Sequence, residues 1–127
     1  MSDAIDLIRR FCDHWGKGAS VDEVVDYFTD DAIYHNIPVD PAVGRDAIKA
    51  TFAMFTTGVE RIEFRVLNIA AEGDTVLTER LDVFVLPNVT IELPVMGTFE
   101  VRGGKIAKWR DYFDLNQYMT QLAGTAG

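Results

Sequence analysis

This chain predicts an α+β fold: a curved, antiparallel-rich sheet forming a cone, with N-terminal helices packed across its concave side. Three observations lead there. Up to Phe55, apolar residues recur mainly at helical spacing. From Val59 the period changes to two, the spacing of a strand with one buried face. Between the strand-like runs stand glycine-bearing turns, Glu72-Gly73-Asp74 and Gly103-Gly104. Helices first and a meander afterwards is an α+β order.

Asp3 to Trp15 carries Ile5, Ile8, Phe11, Cys12 and Trp15 on one helical face, with Asp6, Arg9, Arg10 and Asp13 outward. Gly16 and Gly18 end that helix. Ser20 followed by Glu23 forms a capping box, since each side chain can bond the other's free backbone N–H. The box starts a short helix from Val21 to Phe28 with Val24, Val25 and Phe28 inward. Ala32 to Ile37 is a strand stopped by Pro38 and Pro41. Gly44-Arg45-Asp46 opens a third helix to about Phe55, burying Ile48, Phe52 and Phe55. Four strands follow: Glu60 to Ala70, Thr75 to Leu86, Val89 to Arg102 and Lys105 to Phe113, with Pro87-Asn88 as another turn. Leu115 to Leu122 closes as a helix, and Ala123 to Gly127 is a tail.

At 127 residues the chain is expected to be a single domain, 1–127, able to bury roughly two-thirds of its unfolded surface. A hydrophobic content of 48% is too high for disorder. A net charge of −8 argues against nucleic acid, which needs a basic stripe, and against an anionic membrane surface. The apolar stretches are too short to span a bilayer, and the N-terminus lacks a signal-peptide pattern. The lone cysteine, Cys12, permits no intrachain disulfide and reads as a small core residue. A cytoplasmic protein is expected.

The chemistry-bearing residues are those that interrupt apolar strand faces. One face of the run from Thr75 reads Val76, Thr78, Arg80, Asp82, Phe84, Leu86. In the last strand Ala107, Trp109, Asp111 and Phe113 share a face, against Ile106, Lys108, Arg110 and Tyr112. A charge on a buried face is costly unless paired, and clefts are where such costs are tolerated. Asp111 lies on the next-but-one strand from Arg80, and a guanidinium can bridge two carboxylates at once. Such an arrangement favours one shared proton, hence one acid and one base. Arg80–Asp82 also makes sense as a structural ion pair, and Asp111 could salt-bridge Arg110 or Arg102 instead. Tyr34 and Asn36 share a face and together could hold a water, provided they converge on Asp111. His14 and His35 lack ligand-like company, so no metal is expected. Asp22-Glu23 and Asp30-Asp31 read as solvated helix ends, and no phosphate-binding glycine loop is present.

Taken in order, Tyr34-His35-Asn36-Ile37-Pro38, Gly44-Arg45-Asp46-Ala47, Thr78-Glu79-Arg80-Leu81-Asp82-Val83 and Gly104-Lys105-Ile106 leading to Trp109-Arg110-Asp111-Tyr112-Phe113-Asp114 resemble the limonene-1,2-epoxide hydrolase family of the nuclear transport factor 2-like superfamily. The resemblance implies hydrolysis of a small apolar epoxide to a vicinal diol, without cofactor or covalent enzyme ester. It implies Asp82 as general acid, Asp111 as general base, Arg80 as their bridge, and Tyr34 and Asn36 as further holders of the attacking water. It also implies a homodimer. Strand parity places Phe84, Leu93, Val95 and Phe113 around the substrate. The hairpin from Leu86 to Pro94 is shorter than the family's and carries an extra proline, which leaves substrate preference open. Two alternatives remain: a ketosteroid-isomerase-like or polyketide-cyclase-like proton-transfer enzyme, and a non-catalytic binding module of the same fold.

Overall fold

The computed structural model describes residues 3–124, so the last three residues of the expected tail lie outside the described residues. Helix α1 (Asp3–Gly16) buries Leu7, Ile8, Phe11, Cys12 and Trp15, while Ile5 is only partly covered. The capping box forms as expected: the Glu23 N–H donates to Ser20 Oγ at 3.2 Å and the Ser20 N–H to Glu23 Oε1 at 2.8 Å. The helix it starts is shorter than its pattern suggested. α2 (Val21–Val25) ends three residues early, and β1 (Phe28–Asn36) begins at the residue expected to finish the helix. Tertiary pairing decides this, because Phe28 registers with Ile106 and the Ile106 N–H donates to the Tyr27 carbonyl at 2.8 Å. Asp30 and Asp31 therefore lie in a strand, not at a helix end, and face Arg45 and Arg102 respectively.

A two-residue strand, β2 (Ala42–Val43), has no counterpart in the pattern analysis. Gly44, at φ 88°, then turns the chain into α3 (Arg45–Thr56), which buries Ile48 and Phe52. The meander follows as β3 (Arg61–Glu72), β4 (Thr75–Val85), β5 (Thr90–Arg102) and β6 (Lys105–Tyr112), and α4 (Leu115–Leu122) closes it. Gly103 and Gly104, both at positive φ, make the β5–β6 hairpin.

The six strands form one sheet in the order β2-β1-β6-β5-β4-β3. β1 and β6 run parallel; the other neighbours are antiparallel. The sheet is curved, open at its edges, and carries α1 across its inner side. Phe11 of α1 meets Trp109 edge-on at 5.2 Å, and Trp109 stacks on Phe99 at 5.2 Å and Tyr34 at 4.2 Å. One expectation about facing fails. The register passes from Glu100↔Lys108 to Val101↔Ile106, so Ala107 is an extra residue in β6. This bulge inverts the alternation, and Ile106, expected outward, is fully buried. No helix of the described residues is long and apolar enough to cross a membrane.

Candidate active site

The inner face of β4 reads Val76, Thr78, Arg80, Asp82, Phe84, and all five are buried. Two of its positions carry full charges, so partners must come from elsewhere on the inner face. Asp111 supplies one from β6, beyond β5. What allows Arg80 to reach across β5 is Gly97, which registers with Thr78 on one side and Asp111 on the other. A methyl at Gly97 would lie 2.5 Å from Arg80 Nη1 and would also collide with Asp111 Oδ1.

Every N–H of the guanidinium is used. Nε and Nη2 donate to Asp82 Oδ1 and Oδ2, each at 2.9 Å. Nη1 and Nη2 donate to Asp111 Oδ1 and Oδ2 at 3.1 and 2.7 Å. The remaining Nη1 hydrogen goes to Thr78 Oγ1 at 3.1 Å. A planar fork of five donors is filled by two bidentate carboxylates and a hydroxyl. Arg110 and Arg102, the other possible partners of Asp111, are occupied with Glu100 and Asp31.

Asp111 has a further donor that the sequence analysis missed: Trp109 Nε1 bonds its Oδ1 at 2.6 Å. Trp109 and Asp111 are two apart on one strand, so shared facing was a usable clue. Oδ1 thus takes two donors, while Oδ2 takes one and keeps an acceptor site free. Asp82 likewise has a free site on each oxygen.

Burial raises Asp82, the negative charge of Asp111 adds to that, and Arg80 pulls the other way; the net effect pushes Asp82 up to about 6. One proton on the pair would make the cluster neutral, the natural state of a dry site. Burial would lower the Arg80 pKa, but its two aspartates more than offset that and hold it well above the ordinary range. Burial and the neighbouring Asp111 keep the Tyr34 phenol raised and hence neutral. Tyr34 Oη donates to Asn36 Oδ1 at 3.1 Å, leaving the Asn36 amide N–H groups as donors. Asn36 registers with Asp111, so β1 brings this pair beside the carboxylates. Cys12, pushed up to about 12 by burial, is an inert thiol.

Tyr34, Asn36, Asp82 and Asp111 all line one cavity of about 180 Å³. Phe84, Leu93, Val95 and Phe113 line it as well. Arg80 lies beneath the cavity, with its guanidinium carbon 5.1 Å from the centre of the Phe64 ring. Wall residues that the sequence analysis did not place around the cavity are Val39, Phe55, Phe64, Leu115 and Tyr118. Val39, Phe55, Leu115 and Tyr118 come from a loop and helices, where a period of two gives no guidance; Phe64 lies on β3 opposite Asp82, a pairing its own strand does not reveal. A larger cleft of about 610 Å³ between α1 and β3 contains none of Arg80, Asp82 and Asp111, the triad of charges described above, and its Lys17 and Arg65 are paired with Asp13 and Glu63. His14 and His35 bond Tyr27 Oη and the Val39 carbonyl, and the described residues contain no metal-holding group of His, Cys, Asp and Glu.

The limonene-1,2-epoxide hydrolase catalytic domain model matches residues 3–124. Epoxide hydrolase EphG of Mycobacterium tuberculosis is 36% identical over 86 residues, covering 68% of this chain and 57% of that protein. The match thus spans little more than half of that relative's length. The solved structure of an M. tuberculosis LEH-like epoxide hydrolase is 30% identical with a TM-score of 0.81, covering 96% of this chain and 90% of that one. A protein from Catenulispora acidiphila with a ketosteroid isomerase-like fold has a TM-score of 0.80 at 19% identity, covering 91% and 90% of the two chains; it shares the fold alone.

Proposed function

Because this chain belongs to the limonene-1,2-epoxide hydrolase family, we propose that it adds water to a small apolar epoxide in one acid/base step. The observation that carries the proposal is a pair of carboxylates that line one apolar cavity and are bridged by a single buried guanidinium, each in bidentate contact with it. In this reading Asp111 is the base and Asp82 the acid. A water resting on Asp111 Oδ2, with Tyr34 and Asn36 as its other contacts, gives a proton to that carboxylate as its oxygen bonds to an epoxide carbon. The ring C–O bond breaks, its electron pair goes to oxygen, and Asp82 supplies the proton that makes the second hydroxyl. Asp82 ends as a carboxylate and Asp111 as an acid; transfer of one proton restores the starting state.

An epoxide combines ring strain with a poor leaving group, so protonation and attack benefit from acting together. A positioned proton donor or acceptor is typically worth about 10²–10⁴-fold, and fixing the water adds proximity. Proton transfer beside a carbonyl would need one carboxylate and a neutral acid, leaving an arginine bridge without a task. The cavity, about 180 Å³, suits a compact epoxide better than a long chain.

The test is to incubate the protein with terpene, cyclic and long-chain epoxides and measure diols. Asp82→Asn and Asp111→Asn should each lower kcat by at least about 10³-fold while the fold persists, as judged by circular dichroism. Near-normal rates in either variant would sink the assignment. A single turnover in ¹⁸O-labelled water should leave both carboxylates unlabelled. The proposal extends to a homodimer in the cytoplasm: exposed Leu77, Met96 and Tyr112 lie together on the outer face of β4, β5 and β6. A monomeric mass by light scattering at micromolar concentration would refute the dimer.

A further inference from the structure

Beyond this reaction, we propose that Gln121 is a positioning residue that holds α4 as one wall of the cavity by acting as a missing strand. β5 runs from Thr90 to Arg102, yet β6 pairs with it only from Met96 onward. The preceding part of β5 has β4 on one side and an unpaired edge on the other. Alternate residues of that edge direct their backbone groups away from β4. One of them is Pro94, which has no N–H to leave unsatisfied. Another is Glu92, and both its backbone groups are taken by one side chain. The Glu92 N–H donates to Gln121 Oε1 at 2.8 Å, and Gln121 Nε2 donates to the Glu92 carbonyl at 2.9 Å. A carboxamide has the donor and acceptor of a peptide group, so it closes this edge as a further strand would.

Helix α4 has no fully buried residue. Its start is fixed by Asp114, whose Oδ1 accepts from the Asn116 and Gln117 N–H groups at 2.9 and 3.4 Å. Only Phe113 and Asp114 separate it from β6. Between the cap and Gln121 lie Leu115 and Tyr118, both in the cavity wall, and Tyr118 meets Phe84 edge-on at 6.1 Å. Gln121 thus fastens the last turn of α4 to the open edge of β5, and by holding that wall in place it sets how closely the cavity fits its substrate.

The kinetic readout rests on the proposed hydrolysis; the exchange readout does not. Gln121→Met keeps size and helix propensity but removes both bonds. Gln121→Glu keeps an acceptor for the Glu92 N–H and loses the donor. In Gln121→Met, amide hydrogen exchange over 115–122 should accelerate about tenfold while the sheet is unchanged. The KM for cyclohexene oxide should rise about three- to tenfold with kcat within about twofold, and limonene oxide should gain relative to it. Gln121→Glu should fall between. Unchanged exchange over 115–122, or faster exchange with unaltered KM and size preference, overturns the inference. If the wild type hydrolyses no epoxide, the reaction reading fails by itself. The inference is then judged by exchange and by cyclohexane-1,2-diol titration of tryptophan fluorescence, where equal affinity in wild type and Gln121→Met refutes it.

Discussion

Asp82 and Asp111 are the same residue type bound to the same guanidinium, yet their surroundings differ. Asp111 also accepts the Trp109 indole N–H at 2.6 Å, a bond made only to an acceptor. Asp82 has no such donor, and burial pushes it up to about 6 from an ordinary 3.8. The native state therefore holds this proton more tightly than the unfolded chain does. Its contribution to stability is full below about pH 4 and is lost as pH rises through about 6. Relative to Asp82→Asn, the wild type should lose unfolding free energy across that window, measured by denaturant titration at each pH. Turnover should likewise decline above about pH 6, because a deprotonated Asp82 cannot protonate the epoxide oxygen. A flat pH–rate profile between 5 and 8 would remove Asp82 from the acid role. The charged residues were legible in the sequence because parity alone puts Arg80 with Asp82 and Asp111 with Trp109. Gly97 was not, though a glycine inside an apolar strand is a usual mark of close approach. Gly97→Ala should abolish turnover and destabilise the fold by about 1–3 kcal/mol, read from kinetics and thermal unfolding.

At the scale of elements, Arg45 shows how a surface motif becomes structural. Its Nε and Nη2 donate to the Phe28 carbonyl at 3.0 and 2.7 Å, joining α3 to the first residue of β1. Asp26 and Asp30 stand beside the same guanidinium. Since β1 carries Tyr34 and Asn36 into the cavity, this bond helps to fix where that strand begins. Arg45→Met should cost about 1.5–3 kcal/mol, the range for hydrogen bonds to charged groups, with kcat little changed. Equal stability of the two proteins in urea would show that water replaces the bond. The same region marks where local pattern gave out. Val24, Val25 and Phe28 have helical spacing, but Phe28 is claimed by pairing with β6, which no local window contains. The parallel β1–β6 contact likewise depends on partners distant in sequence, whereas β2 and the bulge at Ala107 pair with near neighbours and escaped because a two-residue strand and a single extra residue are too short to set a period. The hairpin turns and the capping box, whose partners are local, were read correctly.

For the whole molecule, the triad poses a question of stability against function. Arg80, Asp82 and Asp111 are each 4% exposed or less, in the middle of a core dominated by aromatic rings. Three charges removed from water recover that loss only through mutual contact, and apolar replacements of similar volume often do as well or better. Selection for stability alone would favour such replacements; a site that must move protons in a dry cavity would not. Arg80→Met leaves two carboxylates buried without their partner and should cost about 3–5 kcal/mol. Adding Asp82→Leu and Asp111→Asn removes that conflict while retaining a side-chain oxygen for Trp109 Nε1 and leaving Thr78 its 3.4 Å bond to the Gly97 carbonyl. The triple variant should therefore regain most of the loss, and reach wild-type stability if the cluster exists for chemistry, while forming no diol. Urea unfolding of wild type, single and triple variants decides the matter. A triple variant no more stable than Arg80→Met would mean that the ion cluster is the specific glue of this sheet, and that any catalysis it performs is secondary to holding β4, β5 and β6 in register.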